Sequence, residues 1–230
     1  MSDTISLLRR MNAKERFLLL DAVLGHPRLD NTYLARLCVA SGWEPPSDAW
    51  WAMDYHLDWL AYAVLAGNRS VVKKPDEAWI LGSQEDLDFI VAWKFEDRTR
   101  LLLVEAKGVT AHSNKQVASK LQKLRFLLGP DGKRISGIEV SFVLVSPKRP
   151  KRLQTNDVPT WALHNSMFRW VYLPVASDLV APTRCNADGV IGRNPGDHMK
   201  LVPRGPFDGG QDSSDVAEVT CPTSPATKKP

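Results

Sequence analysis

The sequence predicts an α/β fold, a central sheet flanked by helices, and three observations point to it. Leu101-Leu102-Leu103-Val104 is an unbroken aliphatic run, as expected of a strand buried on both faces. The run Asp88-Phe89-Ile90-Val91-Ala92-Trp93 precedes it across the short charged stretch Lys94 to Arg100, for which an antiparallel hairpin is the simplest connection. A helical pattern over Lys115 to Leu128 and another apolar strand, Ile138 to Val145, complete the series. With 230 residues, 43% of them hydrophobic, the chain can form one domain of moderate size plus appendages.

From the N-terminus, helical periodicity over residues 5 to 25 stops at Gly25-His26-Pro27, and a second helix is expected over Thr32 to Ala40, before Gly42 and Pro45-Pro46. Ser47 and Asp48 offer caps for a third helix from about Ala49 to Leu65, which would carry Trp50, Trp51, Trp59 and Tyr62. In that helix Asp54 and Asp58 would share a face at i, i+4. Val71 to Gly82 reads as a further strand with a turn, and Trp161 to Leu173 as an edge element closing the sheet. Residues 177 to 230 hold 6 Gly, 7 Pro and one aromatic, Phe207, too little apolar surface to offset ordering entropy, so a disordered tail is expected. The resulting division is a helical N-terminal extension (1–47), an α/β domain (48–176) and the tail.

The chemistry concentrates at Glu105-Ala106-Lys107, where the aliphatic strand ends. Side chains alternate along a strand, so Glu105 and Lys107 share a face, and the hairpin brings Asp88 beside them. Charges at the tip of a buried strand carry a desolvation cost unless they pair with each other or with a metal and a phosphate.

Asp88 followed by Glu105-x-Lys107 on the next strand, then a helix and a further strand, resembles the PD-(D/E)xK nuclease superfamily over roughly residues 50 to 146. The resemblance implies a restriction-endonuclease-like αβββαβ core on a mixed sheet and metal-dependent hydrolysis of phosphodiester bonds, in DNA before RNA. It assigns Asp88 and Glu105 as ligands of Mg²⁺ or Mn²⁺, with the Ala106 carbonyl as a third, and Lys107 as the group that orients water or stabilises negative charge. On the helix after the motif, Gln116 and Lys120 match the polar positions that many members place near the site. Asp58, with Asp54 in reserve, stands where an upstream helix lends an acidic ligand. Asp86 and Asp76 are alternatives to Asp88. A homodimer is a further expectation, since many nucleases with this core act as dimers.

Charge separates the chain in the same place. Residues 1–106 hold 12 basic and 16 acidic residues, whereas 107–152 hold 11 and 2. Basic residues around a phosphate-cleaving centre are the footprint of a polyanion partner, with Lys115, Lys120 and Lys123 as nucleic-acid contacts and Lys148-Arg149-Pro150-Lys151-Arg152 closing the basic stretch. No apolar run is long enough to span a membrane. Three scattered cysteines (Cys38, Cys185, Cys221) fit a reducing compartment, so the cytoplasm is expected. Nothing resembles a nucleotide-binding glycine loop, a serine-hydrolase elbow or a paired-histidine zinc site. His112, in the loop after Lys107, reads as a surface histidine. Besides the nuclease, two readings stay open: a nucleic-acid-binding module of the same fold without cleavage, and an unrelated α/β protein with a structural Glu–Lys pair.

Overall fold

The computed structural model describes residues 3–11, 13–25, 27–66, 85–176, 178–191 and 196–203. Helices Thr4–Arg10 (α1), Glu15–Leu24 (α2) and Asn31–Ser41 (α3) lead into strand Trp50–His56 (β1) and helix Leu57–Ala66 (α4). Strands Asp86–Phe95 (β2) and Arg98–Ala106 (β3), helix Asn114–Leu128 (α5) and strand Ile138–Ser146 (β4) follow. A 3₁₀ turn, Thr160–Ala162, precedes the two-residue strands Leu163–His164 (β5) and Met167–Phe168 (β6), then Trp170–Tyr172 (β7), Val180–Cys185 (β8) and His198–Pro203 (β9). No described helix is long and apolar enough to cross a membrane.

The expected α/β architecture is present. Five strands form one mixed sheet in the order β1-β2-β3-β4-β7. β1, β2 and β3 are antiparallel neighbours, while β3–β4 and β4–β7 are parallel. The β2–β3 hairpin turns on only Glu96 and Asp97, with Phe95 paired to Arg98 and Glu96 in the left-handed region at φ 53°. The strands thus extend further into the charged stretch than hydropathy alone indicates, because Lys94 keeps its head half in water while Arg100 pairs with Glu139.

Both faces of the sheet are covered, which explains the unbroken apolar runs. Ile90, Leu101, Leu103, Phe142 and Leu144 face a core built with Leu8 of α1 and the apolar sides of α4 and α5. Val91, Leu102, Val104, Val143 and Val145 face the other core, with Leu37 of α3 and Phe17 and Leu20 of α2 packed on it. Each fully buried leucine contributes roughly 1.5–3 kcal/mol. In α5, where a helical pattern was expected, Val117, Leu121, Leu124 and Leu128 form one buried stripe. Trp161 to Leu173 closes the sheet edge as expected, through β7.

Four expectations need correction. Residues 5 to 25 form two helices, since the backbone is extended at Met11 (ψ 155°) and Lys14 (ψ 145°). The third helix starts at Leu57, not Ala49. Trp50-Trp51-Ala52 is instead a strand, its aromatic residues alternating between the sheet's two faces, and strand pairing overrides the helical spacing. Asp54, at φ 49° on β1, therefore shares no helix face with Asp58. The tail is not disordered throughout: β8 and β9 pair in register from Val180–Pro203 to Cys185–His198, the ladder supplying order that composition does not suggest. The expected strand over Val71 to Gly82, with Pro75-Asp76, lies outside the described residues.

Candidate active site at the end of strands β2 and β3

The register that pairs Phe89 with Val104 carries Asp88 to the position beside Glu105. The contact is direct: the Ala106 amide donates to Asp88 Oδ2 at 2.6 Å. Parallel pairing with β4 continues through Glu105–Leu144 and Ala106–Val145, and the Lys107 amide donates to the Val145 carbonyl at 2.8 Å. Asp88, Glu105 and Lys107 thus converge at one sheet edge, as the spacing predicts.

Glu105 is buried at 5% exposure and is held by two ammonium groups. Lys107 Nζ lies 3.4 Å from Oε1, and Lys120 of α5 donates to Oε2. Lys120, itself 6% exposed, also donates to the Asp86 carbonyl at 2.5 Å. Desolvation pushes the Glu105 carboxyl above the usual carboxylate range and Asp88 adds to the rise, while Lys120 and Lys107 oppose it.

A second layer of pairs surrounds this centre. Lys123 Nζ is 2.6 Å from Glu85, which also accepts from the Ser119 hydroxyl at 2.9 Å, and Lys14 lies 3.3 Å from Asp86 Oδ2. Asp86 Oδ1 is buried without a hydrogen-bond partner among the described residues. Lys123 is therefore engaged with Glu85 at the protein surface, whereas Lys115 is exposed at the start of α5.

Two predicted residues stand apart. Gln116 is exposed, and its side chain meets the Ser113 hydroxyl at 3.3 Å, within the N-cap of α5. Asp58 opens α4 against His56, carboxylate to Nδ1 3.9 Å, while Asp54 pairs with Arg16 at 3.2 Å. The strand at residues 50–56 separates Asp54 from Asp58, which stays in the first turn of α4.

Two features exceed the sequence reading. Lys120, expected near the site and as a nucleic-acid contact, is a buried partner of Glu105. Its spacing, three after Val117 and four before Leu124, sets it at the border of the apolar side and could have indicated this. His112 is buried rather than on the surface: it is 9% exposed, and neither ring nitrogen makes a well-formed hydrogen bond among the described residues. Burial pushes its pKa down to about 4; a loose contact with the Val145 backbone opposes this, and the nearby Lys107 charge adds to the fall. No periodicity in the loop signals this.

The donor set suits a hard divalent cation in kind. Such an ion takes one or two carboxylates from the protein, and Asp88, Glu105 and the Ala106 carbonyl lie together, with the unpartnered Asp86 Oδ1 on the same strand. No group of three or more His, Cys, Asp or Glu side chains is gathered to chelate a metal among the described residues. Lys120 engages Oε2 of Glu105, while Oε1 carries the longer Lys107 contact.

Compared with protein-family models, curated proteins and solved structures, the chain matches none. Its function must be read from the site itself.

Proposed function

We propose that this protein is a metal-dependent nuclease acting on phosphodiester bonds, with DNA as its first substrate class and Mg²⁺ or Mn²⁺ as its cofactor. The observation that supports this best is the meeting of Asp88 and Glu105 across antiparallel strands, with Lys107 and Lys120 on the Glu105 carboxylate. The order β2, β3, α5, β4 and the mixed sheet agree with the PD-(D/E)xK resemblance. A purely structural Glu–Lys pair would leave Asp88 remote, and its 2.6 Å bond to the Ala106 amide argues against that.

In this reading Asp88, Glu105 and the Ala106 carbonyl would hold the cation, which would supply charge neutralisation on the phosphate and a more acidic water. Lys107, fixed through its amide to β4, directs its ammonium at the negative charge developing on the phosphate oxygens. Lys120 opposes the rise that burial imposes on the Glu105 carboxyl and so favours its charged form. A second reading, nucleic-acid binding without cleavage, is favoured by that same Lys120 contact, which already neutralises the Glu105 carboxylate with a protein cation.

The deciding experiment incubates the full chain with supercoiled plasmid and single-stranded DNA, in Mg²⁺, Mn²⁺ or chelator. Metal-dependent cutting is expected, reduced about a hundred- to a thousandfold in Lys107→Ala and at least as far in Asp88→Ala. Binding without any cutting would transfer the assignment to the second reading.

A further inference from the structure

The Lys107 amide bond to Val145 joins the end of β3 to the end of β4, and from there a second loop returns to α5. The Ser146 hydroxyl donates to the Lys148 carbonyl at 2.7 Å and accepts from the Trp170 indole at 3.0 Å. The Arg149 guanidinium lies 5.6 Å from the centroid of that indole. At its far end, the Arg152 carbonyl accepts from the Asn114 side-chain amide at 3.4 Å, and Asn114 Oδ1 accepts from the Gln154 amide at 2.8 Å. Asn114 opens α5, so residues 107–114 and 145–154 form a closed, hydrogen-bonded rim beside the candidate site.

This rim is cationic throughout. Residues 107–115 and 146–156 hold six lysines and arginines and no carboxylate. Lys115, Arg149, Lys151 and Arg152 are exposed, and none of the four has an ion-pair partner among the described residues. By contrast, the lysines of the centre itself, Lys107, Lys120 and Lys123, all pair with carboxylates. Unpaired cations on a backbone pinned at both ends are positioned for an external anion. From Asn114 a groove of about 430 Å³ continues between α5 and residues 154–158, lined by side-chain amides, Arg125 and Asp157 over an apolar floor that includes Leu121 and Phe168. Side-chain amides and an arginine suit phosphate and sugar contacts.

We infer that the 148–152 loop and Lys115 form the docking rim for a nucleic-acid backbone, and that Arg149, Lys151 and Arg152 bind its phosphates. This rests on the nucleic-acid reading above and adds to it the surface that holds the strand. The paired lysines of the centre then contribute little to affinity before catalysis, and the rim supplies most of the salt dependence.

The test measures fluorescence anisotropy of a fluorescein-labelled DNA oligonucleotide with the full chain, in chelator, over a series of KCl concentrations. The variant Arg149→Ala/Lys151→Ala/Arg152→Ala is compared with Lys94→Ala/Lys133→Ala/Arg134→Ala, an equal loss of charge at the opposite end of the sheet. Thermal melting checks that both are folded. The rim variant should bind at least roughly tenfold more weakly and lose about 2 from the log–log salt slope, at about 0.7–0.9 per phosphate contact, while the control stays near wild type. Equal weakening in both variants would overturn the rim, and so would the absence of any binding by wild type. Tighter binding to phosphatidylserine vesicles than to the oligonucleotide would assign the rim to a lipid surface instead. Rim-dependent binding without plasmid cutting removes the nuclease and keeps the rim; cutting with rim-independent binding does the reverse.

Discussion

Strand β3 ends in a similar charge arrangement at both extremities, with opposite consequences. At its N-terminal end Glu139 of β4 sits between Arg98 (2.6 Å) and Arg100 (2.8 Å); at its C-terminal end Glu105 sits between Lys107 and Lys120. The Arg100 and Arg98 hydrogen bonds hold the Glu139 carboxyl below its ordinary range, whereas burial drives the Glu105 carboxyl above it. The difference is solvent: the side chain of Glu139 is 25% exposed and that of Glu105 is 7%. One carboxylate between two cations is an ordinary surface pair where water reaches it and a high-energy centre where it does not. A buried carboxylate with a perturbed pKa makes the C-terminal end the better candidate for chemistry.

The largest expected effect follows from removing a partner at the buried end. Lys120→Ala leaves Glu105 buried with Lys107 alone and should cost roughly 3–5 kcal/mol in urea denaturation. Adding Glu105→Gln should recover part of that loss, because the stranded charge is then gone. A single-variant cost under about 1 kcal/mol would make the two triads equivalent and end the contrast.

His112 sharpens it. A buried imidazole with its pKa lowered to about 4 stays neutral in the folded protein, while the unfolded chain takes up a proton near 6.5. Stability from this group is therefore complete above pH 6.5 and declines as the pH falls towards 4. The loss should be roughly 2 kcal/mol after allowance for residual hydration, read as the acid limb of the unfolding free energy. His112→Phe should flatten that limb.

The smallest effect belongs to the exposed end. Glu139→Ala should cost about 0.5–1 kcal/mol, and added salt should reduce the difference. A loss as large as that of Lys120→Ala would show that exposure does not separate the two ends.

Much of this centre was legible in the sequence because strands and hairpins leave a simple record. The aliphatic run at Leu101 to Val104 and the short charged link fix which strands pair, and the side-chain period of two then sets Asp88 beside Glu105. The stripe of α5 was equally plain. The strand at Trp50–His56 was not, since Trp50, Trp51, Asp54 and Asp58 also satisfy helical spacing and only pairing with β2 separates the two forms. The depth of Lys120 and His112 depends on which side of α5 and its preceding loop meets β2 and β4, a tertiary fact that local periodicity does not carry. The β8–β9 hairpin was hidden by the proline- and glycine-rich composition around it.

Arg169, just before β7, donates from Nη1 to the carbonyls of Ala40 (2.9 Å) and Ser41 (3.2 Å), where α3 ends. Those partners are separated by 129 and 128 positions along the chain. The last turn of α3 is therefore anchored by a residue made long after it during translation. Such distant closures slow folding towards the millisecond-to-second range. A nascent chain that stops before residue 169 should hold α3 loosely, which proteolysis of arrested chains would reveal as cleavage near residues 40–42.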